Sequence, residues 1–537
     1  ARYGVHNCAR LAGAKTSEIE ARIGAHAGDA VVHKDELVVL IEQLPKNIDP
    51  RHTQSSYDFK LSYLCFARLV SVDDPKLESH LELAERVALA AGACTTYGVI
   101  ENKPLAPALG QPAYTLGEFA RKLNRRSDEL ALAVVFSGGG TRAAALSYGV
   151  MLELRDTRVP IGGKEQRLLD AVSAISSVSG GSFTSAYYGL YGDRLFVDFE
   201  QRFLRRDVEG ALLRGLLDPL RWFSSRGRTE MAVAHYQESL FGDATFADLM
   251  KQDSPLILIN TSDLSSGARF SFVQEYFDLL CSDLTSFPLA RAVTASSAVP
   301  VVFDPVVVEN YAGCARRLPP WLAAAQQRDN DNPNLRMIVQ ADAAYEDKVA
   351  HKFAQFVDGG ITDNLGLRAM LDTIELVGGA KEYLRDMGIA APRRIAIVSV
   401  NASADSPLGI GATREAPGLE KTLDAVTNIQ LHRYNVATLQ QAQQSLERWA
   451  RNLSTPERPV TQYFIRLSFA DVPEGPLHRF LNEIPTNFAL SADQVDQLVA
   501  TGRELLRNNA QFRRLLASLQ GQADAADAGA GSTPGGR

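Results

Sequence analysis

Two glycine-marked turns and one aspartate carry residue types that can perform nucleophilic chemistry. The first turn, Ser137-Gly138-Gly139-Gly140-Thr141-Arg142, follows the apolar run 132–136, and the second, Ser177-Val178-Ser179-Gly180-Gly181, follows the run 171–175. Asp358 precedes two glycines in Phe356-Val357-Asp358-Gly359-Gly360. A hydroxyl, a carboxylate and a loop of backbone N–H donors are the components of an acyl hydrolase.

Ser179 is the candidate nucleophile. A serine between a buried strand and a helix can lie on a sharp turn that exposes its oxygen, provided that its neighbours are small. Gly180 and Gly181 meet that requirement, and the helix that follows directs its positive end toward developing negative charge. Ser177 and Ser182 are weaker candidates, because neither directly precedes two glycines.

Gly138, Gly139 and Gly140 form a loop whose amides can converge on one anion. The nucleotide-binding pattern G-x-x-x-x-G-K-[ST] is absent, and the third glycine of G-x-G-x-x-G is replaced by Ala143, so nucleotide binding is disfavoured. The loop therefore fits an oxyanion, although a tight turn without a ligand is the alternative. Arg142 would position the loop, attract an anionic group or serve only the fold.

Asp358 is the candidate base. A carboxyl with an ordinary pKa of about 3.9 is a weak base at neutral pH, but burial beside a serine, without a cationic partner, would raise that pKa. The alternative is a turn aspartate that bonds only to its own backbone.

The segments that must position these residues are predicted to form a largely parallel sheet, covered by helices, that begins near residue 132. Short apolar runs alternate with helical segments, and the helix predicted over 143–154 is apolar on nearly all sides, which indicates burial. Ser491-Ala492-Asp493-Gln494 has the form of a helix capping box. The strands are predicted over 132–136, 171–178, 255–260, 270–273, 353–357, 394–400 and 463–469.

The bulk composition is that of an ordinary globular protein. The chain has 537 residues, a net charge of −7 and 45% apolar residues, so nothing general favours binding to nucleic acid. No apolar stretch approaches the roughly 18 residues that span a bilayer, so a soluble or peripheral membrane protein is expected. The start at Ala1 suggests a processed terminus, which is compatible with export.

The order of these motifs resembles that of the patatin-like phospholipases, with a bacterial type expected. The resemblance rests on Gly-Gly-Gly-x-Arg, the serine turn and Asp-Gly-Gly, and also on Ala295-Ser296-Ser297-Ala298-Val299-Pro300 and Asp363-Asn364-Leu365-Gly366. It covers roughly residues 131 to 400. It implies a three-layer α/β fold with a largely parallel central sheet, to which an N-terminal helical region and C-terminal helices are added.

The resemblance also implies a Ser–Asp dyad of Ser179 and Asp358, an oxyanion hole from Gly138, Gly139 and Gly140, and supporting roles for Arg142 and Gly181. The expected substrates are phospholipids, lysophospholipids or other acyl-ester lipids, and neither metal nor cofactor is required. Three residues depart from the family pattern: Ser177 replaces a glycine, Ala143 stands where a glycine often follows the arginine, and Gly366 replaces a common proline.

Two other functions fit the same residues. The chain order Ser179, Asp358, His478 permits a Ser-His-Asp esterase of the α/β-hydrolase type. A non-catalytic lipid-binding or scaffold protein on the same fold is the other, although the presence of both Ser179 and Asp358 argues against a decayed site.

Four regions are expected along the chain: a mostly helical region over 1–128 with helices over 53–70 and 77–91, a catalytic domain over 129–410, a C-terminal extension over 411–520 that packs on it, and a disordered tail over 521–537. Leucines, aromatics and arginines cluster in 212–226, as in an interfacial membrane segment or a partly buried helix with a basic rim. Cys281 with Cys314, or Cys65 with Cys94, could form disulfides, or all five cysteines could be reduced.

Overall fold

A computed structural model describes residues 70–71, 80–81, 98–105, 113–123, 127–207, 227–300, 302–314, 319–328, 332–404, 414, 419–487 and 489–521. The chain divides into two compact units, Ala1–Tyr97 and Gly98–Arg537. In the first unit the described strands β1 (Val70–Ser71) and β2 (His80–Leu81) pair antiparallel. Sequence predicts helices at these positions; the rest of that prediction, and the predicted tail beyond Gly521, lie outside the described residues.

The second unit is built on strands that alternate with helices. Its strands are β3 (Lys103–Pro104), β4 (Leu130–Phe136), β5 (Arg158–Ile161), β6 (Lys164–Arg167), β7 (Val172–Val178), β8 (Leu256–Asp263), β9 (Arg269–Ser271), β10 (Ser282–Asp283), β11 (Val306–Glu309), β12 (Phe353–Asp358), β13 (Arg394–Asn401) and β14 (Thr461–Ser468).

The helices range from single turns to the 35-residue α14. They are α1 (Leu116–Leu123), α2 (Gly140–Asp156), α3 (Gly180–Tyr191), α4 (Leu195–Phe199), α5 (Arg228–Tyr236), α6 (Phe246–Met250), α7 (Gln274–Phe277), α8 (Leu289–Ser296), α9 (Pro320–Gln326), α10 (Pro333–Ala343), α11 (Gly360–Asp363), α12 (Arg368–Val377), α13 (Ala380–Met387), α14 (Leu419–Leu453), α15 (Pro476–Glu483), α16 (Ala492–Asn508) and α17 (Ala510–Leu519).

The central sheet has the strand order β11-β12-β8-β7-β4-β13-β14, and β9 pairs with β8. The five strands from β8 to β14 in this order are parallel to their neighbours. The strands β12, β11 and β9 are antiparallel and lie at one side. The α/β fold with a largely parallel sheet is therefore confirmed, and the sheet is mixed at that side.

Each face of the sheet is covered, because apolar residues point alternately to both sides along a strand. On β4, Val134 packs into the larger core, whereas Val135 packs into a second core that includes Trp449 of α14. On β13, Val398 packs into the larger core and Ile397 packs into the second core. The result is three layers, with the sheet between two sets of helices.

A disulfide joins Cys281 to Cys314. This is one of the two pairings that the sequence leaves open, and Cys65 and Cys94 lie outside the described residues. Of the helices in the described part of the chain, none has the length and hydrophobicity needed to cross a membrane.

Candidate active site

Ser179 lies at a sharp turn between β7 and α3. The strand ends at Val178, the helix begins at Gly180, and Ser179 itself has φ 49° and ψ −123°. A positive φ is uncommon for a residue with a Cβ and is typical of strained turns at functional sites. The turn therefore presents the hydroxyl away from the strand, as the sequence predicts.

Asp358 is the last residue of β12, on the far side of β8 from the strand that carries Ser179. Val178 is opposite Asn260 in the β7–β8 pairing, and Asp358 is opposite Thr261 in the β12–β8 pairing. These two registers bring the ends of β7 and β12 together across a single intervening strand. Residues 179 positions apart in sequence thereby reach bonding distance.

The Ser179 hydroxyl donates a hydrogen bond to Asp358 Oδ2 at 2.7 Å. The Gly360 amide donates to the other oxygen, Oδ1, at 2.7 Å. Both side chains are buried: Ser179 is 4% exposed and Asp358 is 8% exposed. The carboxylate is thus held in one orientation, with one oxygen fixed by the backbone and the other on the serine.

Burial raises the pKa of Asp358 to about 6, and the hydrogen bonds from Gly360 and Ser179 only partly offset this rise. No lysine, arginine or histidine contributes to the shift. A carboxylate in this range is a much better proton acceptor than an ordinary aspartate and is still ionised at neutral pH. The expectation from sequence, a pKa raised by burial without a cationic partner, is confirmed.

The glycine loop requires glycine at two positions. Gly139 has φ 134° and Gly140 has φ 59°, both in the region that favours residues without a Cβ. Neither of these amides donates to any residue that the structure describes. They lie at the N-terminus of α2, where the helix dipole favours negative charge.

Gly138 differs from its two neighbours. Its amide donates to the Asn364 carbonyl at 2.9 Å, so this N–H is already paired within the fold. A Cβ on Gly138 would lie 2.7 Å from Asn364 Oδ1 and 3.3 Å from the Ser179 Cβ. Gly138 therefore packs the loop against the serine turn, and it is Gly139 and Gly140 that keep amides available for a ligand.

The glycines after Ser179 allow α3 to contact the loop and the end of β4. A Cβ on Gly180 would lie 1.9 Å from the Gly140 carbonyl oxygen. A Cβ on Gly181 would lie 2.6 Å from the Phe136 Cβ. A larger residue at either position would push α3 away from the glycine loop or from the end of β4, and the supporting role of Gly181 stays a prediction.

Arg142 is 5% exposed and is directed toward the C-terminal part of the chain. Its Nη1 donates to the Ile484 carbonyl, and its Nη2 donates to Thr486 Oγ1 at 2.9 Å. Burial lowers the pKa of Arg142 to about 10, and no acidic group opposes this shift. The next loop amide, that of Thr141, donates to the Asn487 carbonyl at 2.9 Å. The 484–487 segment thus lies on the glycine loop.

The other serines of the turn have structural partners. The hydroxyls of Ser177 and Ser185 are 2.6 Å apart, and the Ser182 hydroxyl is 3.0 Å from Ser296 Oγ. His478 lies on α15, where its Nε2 is 3.3 Å from Asn482 Nδ2. Because Ser179 donates directly to Asp358, the structure places no imidazole between them. The 212–226 segment, the candidate membrane contact, lies outside the described residues.

Three contributors to the site are not apparent from sequence. Asn260 donates through Nδ2 to Ser176 Oγ and the Ser177 carbonyl, and so joins β8 to β7. Ser296 accepts the backbone N–H of Ser179. The third is the 484–487 segment. The small residues around Ser296 are a signal of close packing there, whereas nothing in the sequence connects residue 142 with residue 484.

Comparisons with known proteins give one family match and several similar solved structures. The sequence model of a family described as patatin-like phospholipase matches residues 134–371, a range that holds Ser179, Asp358 and the glycine loop. Among curated proteins, none matches the chain.

Two solved structures of human GIVD cytosolic phospholipase A2 are similar. One is the complex with methyl γ-linolenyl fluorophosphonate, at 12% identity over 80% of this chain and 70% of that chain, with a TM-score of 0.33. The other is a structure of human GIVD cytosolic phospholipase A2, at 11% identity over 80% of this chain and 72% of that chain, with a TM-score of 0.36. The match over residues 134–371 identifies a patatin-like phospholipase domain in this chain, which implies a lipid acyl hydrolase.

Proposed function

We propose that the chain cleaves fatty-acyl esters of phospholipids or lysophospholipids with a Ser179–Asp358 dyad, through an acyl-serine intermediate. The observation that carries this proposal is the buried 2.7 Å hydrogen bond from Ser179 Oγ to Asp358 Oδ2. The family match supports the substrate class, since its description is a phospholipase. The pKa of Asp358, raised by burial to about 6, supports its role as the base.

In the first step, Ser179 Oγ forms a bond with the ester carbonyl carbon while its proton passes to Asp358. Negative charge develops on the carbonyl oxygen, and the amides of Gly139 and Gly140 stabilise it, each such donor contributing about 3 kcal/mol to the transition state. The carbonyl re-forms, the bond to the alcohol oxygen breaks, and Asp358 returns the proton to the leaving alcohol. The product on the enzyme is an acyl-serine.

In the second step, water replaces the alcohol. Asp358 takes a proton from the water as its oxygen attacks the acyl carbon, and the same two amides hold the oxyanion. The bond from the acyl carbon to Ser179 Oγ then breaks, and Asp358 returns the proton to that oxygen. The free fatty acid leaves and the dyad is restored, so the two steps balance with no group beyond ester and water.

The test is hydrolysis of a phospholipid and a lysophospholipid by the wild type and by Ser179→Ala and Asp358→Asn variants. Each variant should lose at least ~1000-fold in turnover while remaining folded, because each removes a group that reacts directly. Ser173→Ala is the control for the serine, since Ser173 lies at the other end of β7 and donates to the Leu132 carbonyl. Asp347→Asn is the control for the aspartate, since Asp347 accepts amides in an exposed turn.

A fluorophosphonate probe gives a second readout that does not depend on the correct lipid being chosen. Labelling should occur in the wild type and at Ser179, and it should be lost in both dyad variants. Full turnover by Ser179→Ala or Asp358→Asn would refute the dyad. A folded wild type that neither reacts with the probe nor releases fatty acid would instead indicate a lipid-binding protein.

A further inference from the structure

Ser296 is a fully buried residue at the end of α8, and its hydroxyl makes three hydrogen bonds at the base of the serine turn. Ser296 Oγ accepts the Ser179 backbone N–H at 2.9 Å and donates to the Asn260 carbonyl at 2.6 Å. The Ser182 hydroxyl is 3.0 Å away. A hydroxyl has one proton and two acceptor positions, so Ser182 is the donor to Ser296 and every position is used.

The same short segment also holds the other half of the dyad. The carbonyl of Ser296 accepts the Gly359 amide at 3.1 Å, and the carbonyl of Ala298 accepts the Asp358 amide at 2.9 Å. Ser296 therefore bonds to the backbone of Ser179, and Ala298 bonds to the backbone of Asp358. The 2.7 Å contact between the two side chains depends on this shared support as well as on the sheet register.

The backbone conformation of Ser179 makes this support necessary. Its φ of 49° is unfavourable for a residue with a Cβ, and such conformations persist only where surrounding contacts hold them. A turn that relaxed toward an ordinary conformation would move the hydroxyl relative to both the carboxylate and the glycine loop. Without the Ser296 hydroxyl, the Ser179 N–H would also be buried with no acceptor.

We propose that Ser296 is a positioning residue for the reaction: its hydroxyl holds Ser179 in the strained turn from which the nucleophile reaches Asp358. This inference rests on the proposed function. The Ser296 hydroxyl bonds to the backbone of Ser179 and makes no hydrogen bond to the Asp358 carboxylate, so it acts on the orientation of the nucleophile and should leave the proton affinity of the base unchanged.

Ser297 provides a matched control at the next position. It is equally buried, and its hydroxyl bonds to the Val293 and Thr294 carbonyls of its own helix. Ser296→Ala and Ser297→Ala thus remove the same atom from the same segment, but only the first removes a contact with Ser179. Ser296→Cys fills nearly the same space with a weaker hydrogen-bond acceptor, so its kcat should lie between those of wild type and Ser296→Ala.

The experiment measures kcat, KM and the rate of fluorophosphonate labelling, with each preparation normalised to the amount of folded protein. Ser296→Ala should lower kcat and the labelling rate by roughly 10- to 100-fold, the scale expected for a misplaced reacting group, with KM changed by less than about twofold. Ser297→Ala should stay within about twofold of wild type in all three. The pH at which the activity of Ser296→Ala is half-maximal should match that of wild type.

Equal kcat values for Ser296→Ala and Ser297→Ala would overturn the inference, as would a loss confined to the amount of folded protein. Where Ser296→Ala does not fold, the same comparison is made with Ser296→Cys, and wild-type kcat in that variant would count against positioning. A wild type that lacks turnover and labelling would defeat the proposed function itself. An active, labelled wild type with a fully active Ser296→Ala would defeat only this inference.

Discussion

The carboxyl of Asp358 sets the expected pH dependence of the reaction. Burial raises its pKa to about 6, and only the ionised form can accept the serine proton. The value of kcat/KM should therefore increase as pH rises through about 6 and level off above about 7. The measurement is hydrolysis of an uncharged acyl ester from about pH 5 to about pH 8, so that the substrate itself does not titrate.

The direction in which kcat/KM changes with pH shows whether the titrating group must be ionised or protonated. If Asp358 had its ordinary pKa, activity would already be level at about pH 5, and a flat profile over that range would contradict its assignment as a buried base. A fall in activity through about pH 6 as pH rises would point instead to a group that must be protonated. Asp347→Asn, which alters an exposed turn carboxyl, should show the same increase of kcat/KM with pH as the wild type.

Sequence predicts the candidate nucleophile and the candidate base because the constraints on them are local. Ser179 and Asp358 stand beside glycines that their turns require, and the glycine pattern marks both positions. The partners of the backbone are not local. The Gly138 amide donates to the Asn364 carbonyl and the Ser179 amide donates to the Ser296 hydroxyl, and both contacts join residues more than 100 positions apart. For this reason the sequence predicts an oxyanion hole of three amides, whereas the structure pairs the Gly138 amide and leaves those of Gly139 and Gly140 available.

At the scale of elements, the 484–487 segment between α15 and α16 is part of the active-site region although the family match ends at residue 371. It receives two hydrogen bonds from Arg142 and one from the Thr141 amide. A Cβ on Gly140 would lie 2.4 Å from the Asn487 carbonyl oxygen. The segment therefore limits the movement of the loop that carries the amides of Gly139 and Gly140.

Arg142→Lys should test this contact. A lysine keeps the charge but cannot supply the forked geometry that reaches both Ile484 and Thr486. We expect kcat to fall by roughly 10-fold or more on both a phospholipid and an uncharged acyl ester, because the loop, and not a headgroup, is affected. Thr486→Val, which removes one of the two acceptors, should give a smaller loss in the same direction.

A different result would assign a different role to Arg142. If it bound an anionic group of the substrate, Arg142→Lys would alter KM on the phospholipid and leave the uncharged ester unaffected. The comparison of the two substrates thus separates an arginine that anchors a segment from one that recognises charge. The burial of Arg142 and its two bonds to the C-terminal part of the chain favour the first.

The main strands of the central sheet, the helix that begins near residue 143 and the helix after Ser491 could be predicted from sequence, because their apolar pattern or capping residues are distinctive. The predicted strand over 394–400 is observed as Arg394–Asn401, and the capping box at Ser491 and Gln494 is formed. Strand direction is not encoded in such patterns, so the antiparallel placement of β11 and β12 could not be derived. The prediction of helices is wrong at residues 70 and 80, where two short strands pair. The spacing of apolar residues in so short a segment fits a strand as well as a helix.

At the scale of the whole molecule, the C-terminal part of the chain completes the layers that support the site. The strand β14 pairs with β13 over eight residues. The first pair is Arg394 with Thr461, and the last is Asn401 with Ser468. The helix α16 packs on α2, the helix that begins at the last glycine of the loop. Glu153 of α2 bonds to Arg503 and Arg507 of α16, and these arginines lower the pKa of its carboxyl despite its partial burial.

The contact between α2 and α16 depends on glycines that let the two backbones approach closely. A Cβ on Gly149 would lie 2.2 Å from the Val499 carbonyl oxygen, and one on Gly502 would lie 2.4 Å from the Leu146 carbonyl oxygen. Backbone atoms cannot rotate away as a side chain can, so Gly502→Ala must push the helices apart. It should lower the free energy of unfolding by about 2 kcal/mol, because overpacking exceeds the small gain in helix propensity.

Because α2 also carries the glycine loop, Gly502→Ala should lower kcat as well as stability, even though residue 502 lies far from Ser179 in sequence. The measurement is denaturant unfolding together with turnover at a temperature where the variant remains folded. Glu504→Ala is the control: it changes an exposed residue of the same helix and should stay within about 0.5 kcal/mol of wild type. A Gly502→Ala variant as stable and as active as this control would show that α16 does not press on α2. The packing of α16 on α2 would then not contribute to holding the glycine loop, and the 484–487 segment would be its contact with the C-terminal part of the chain.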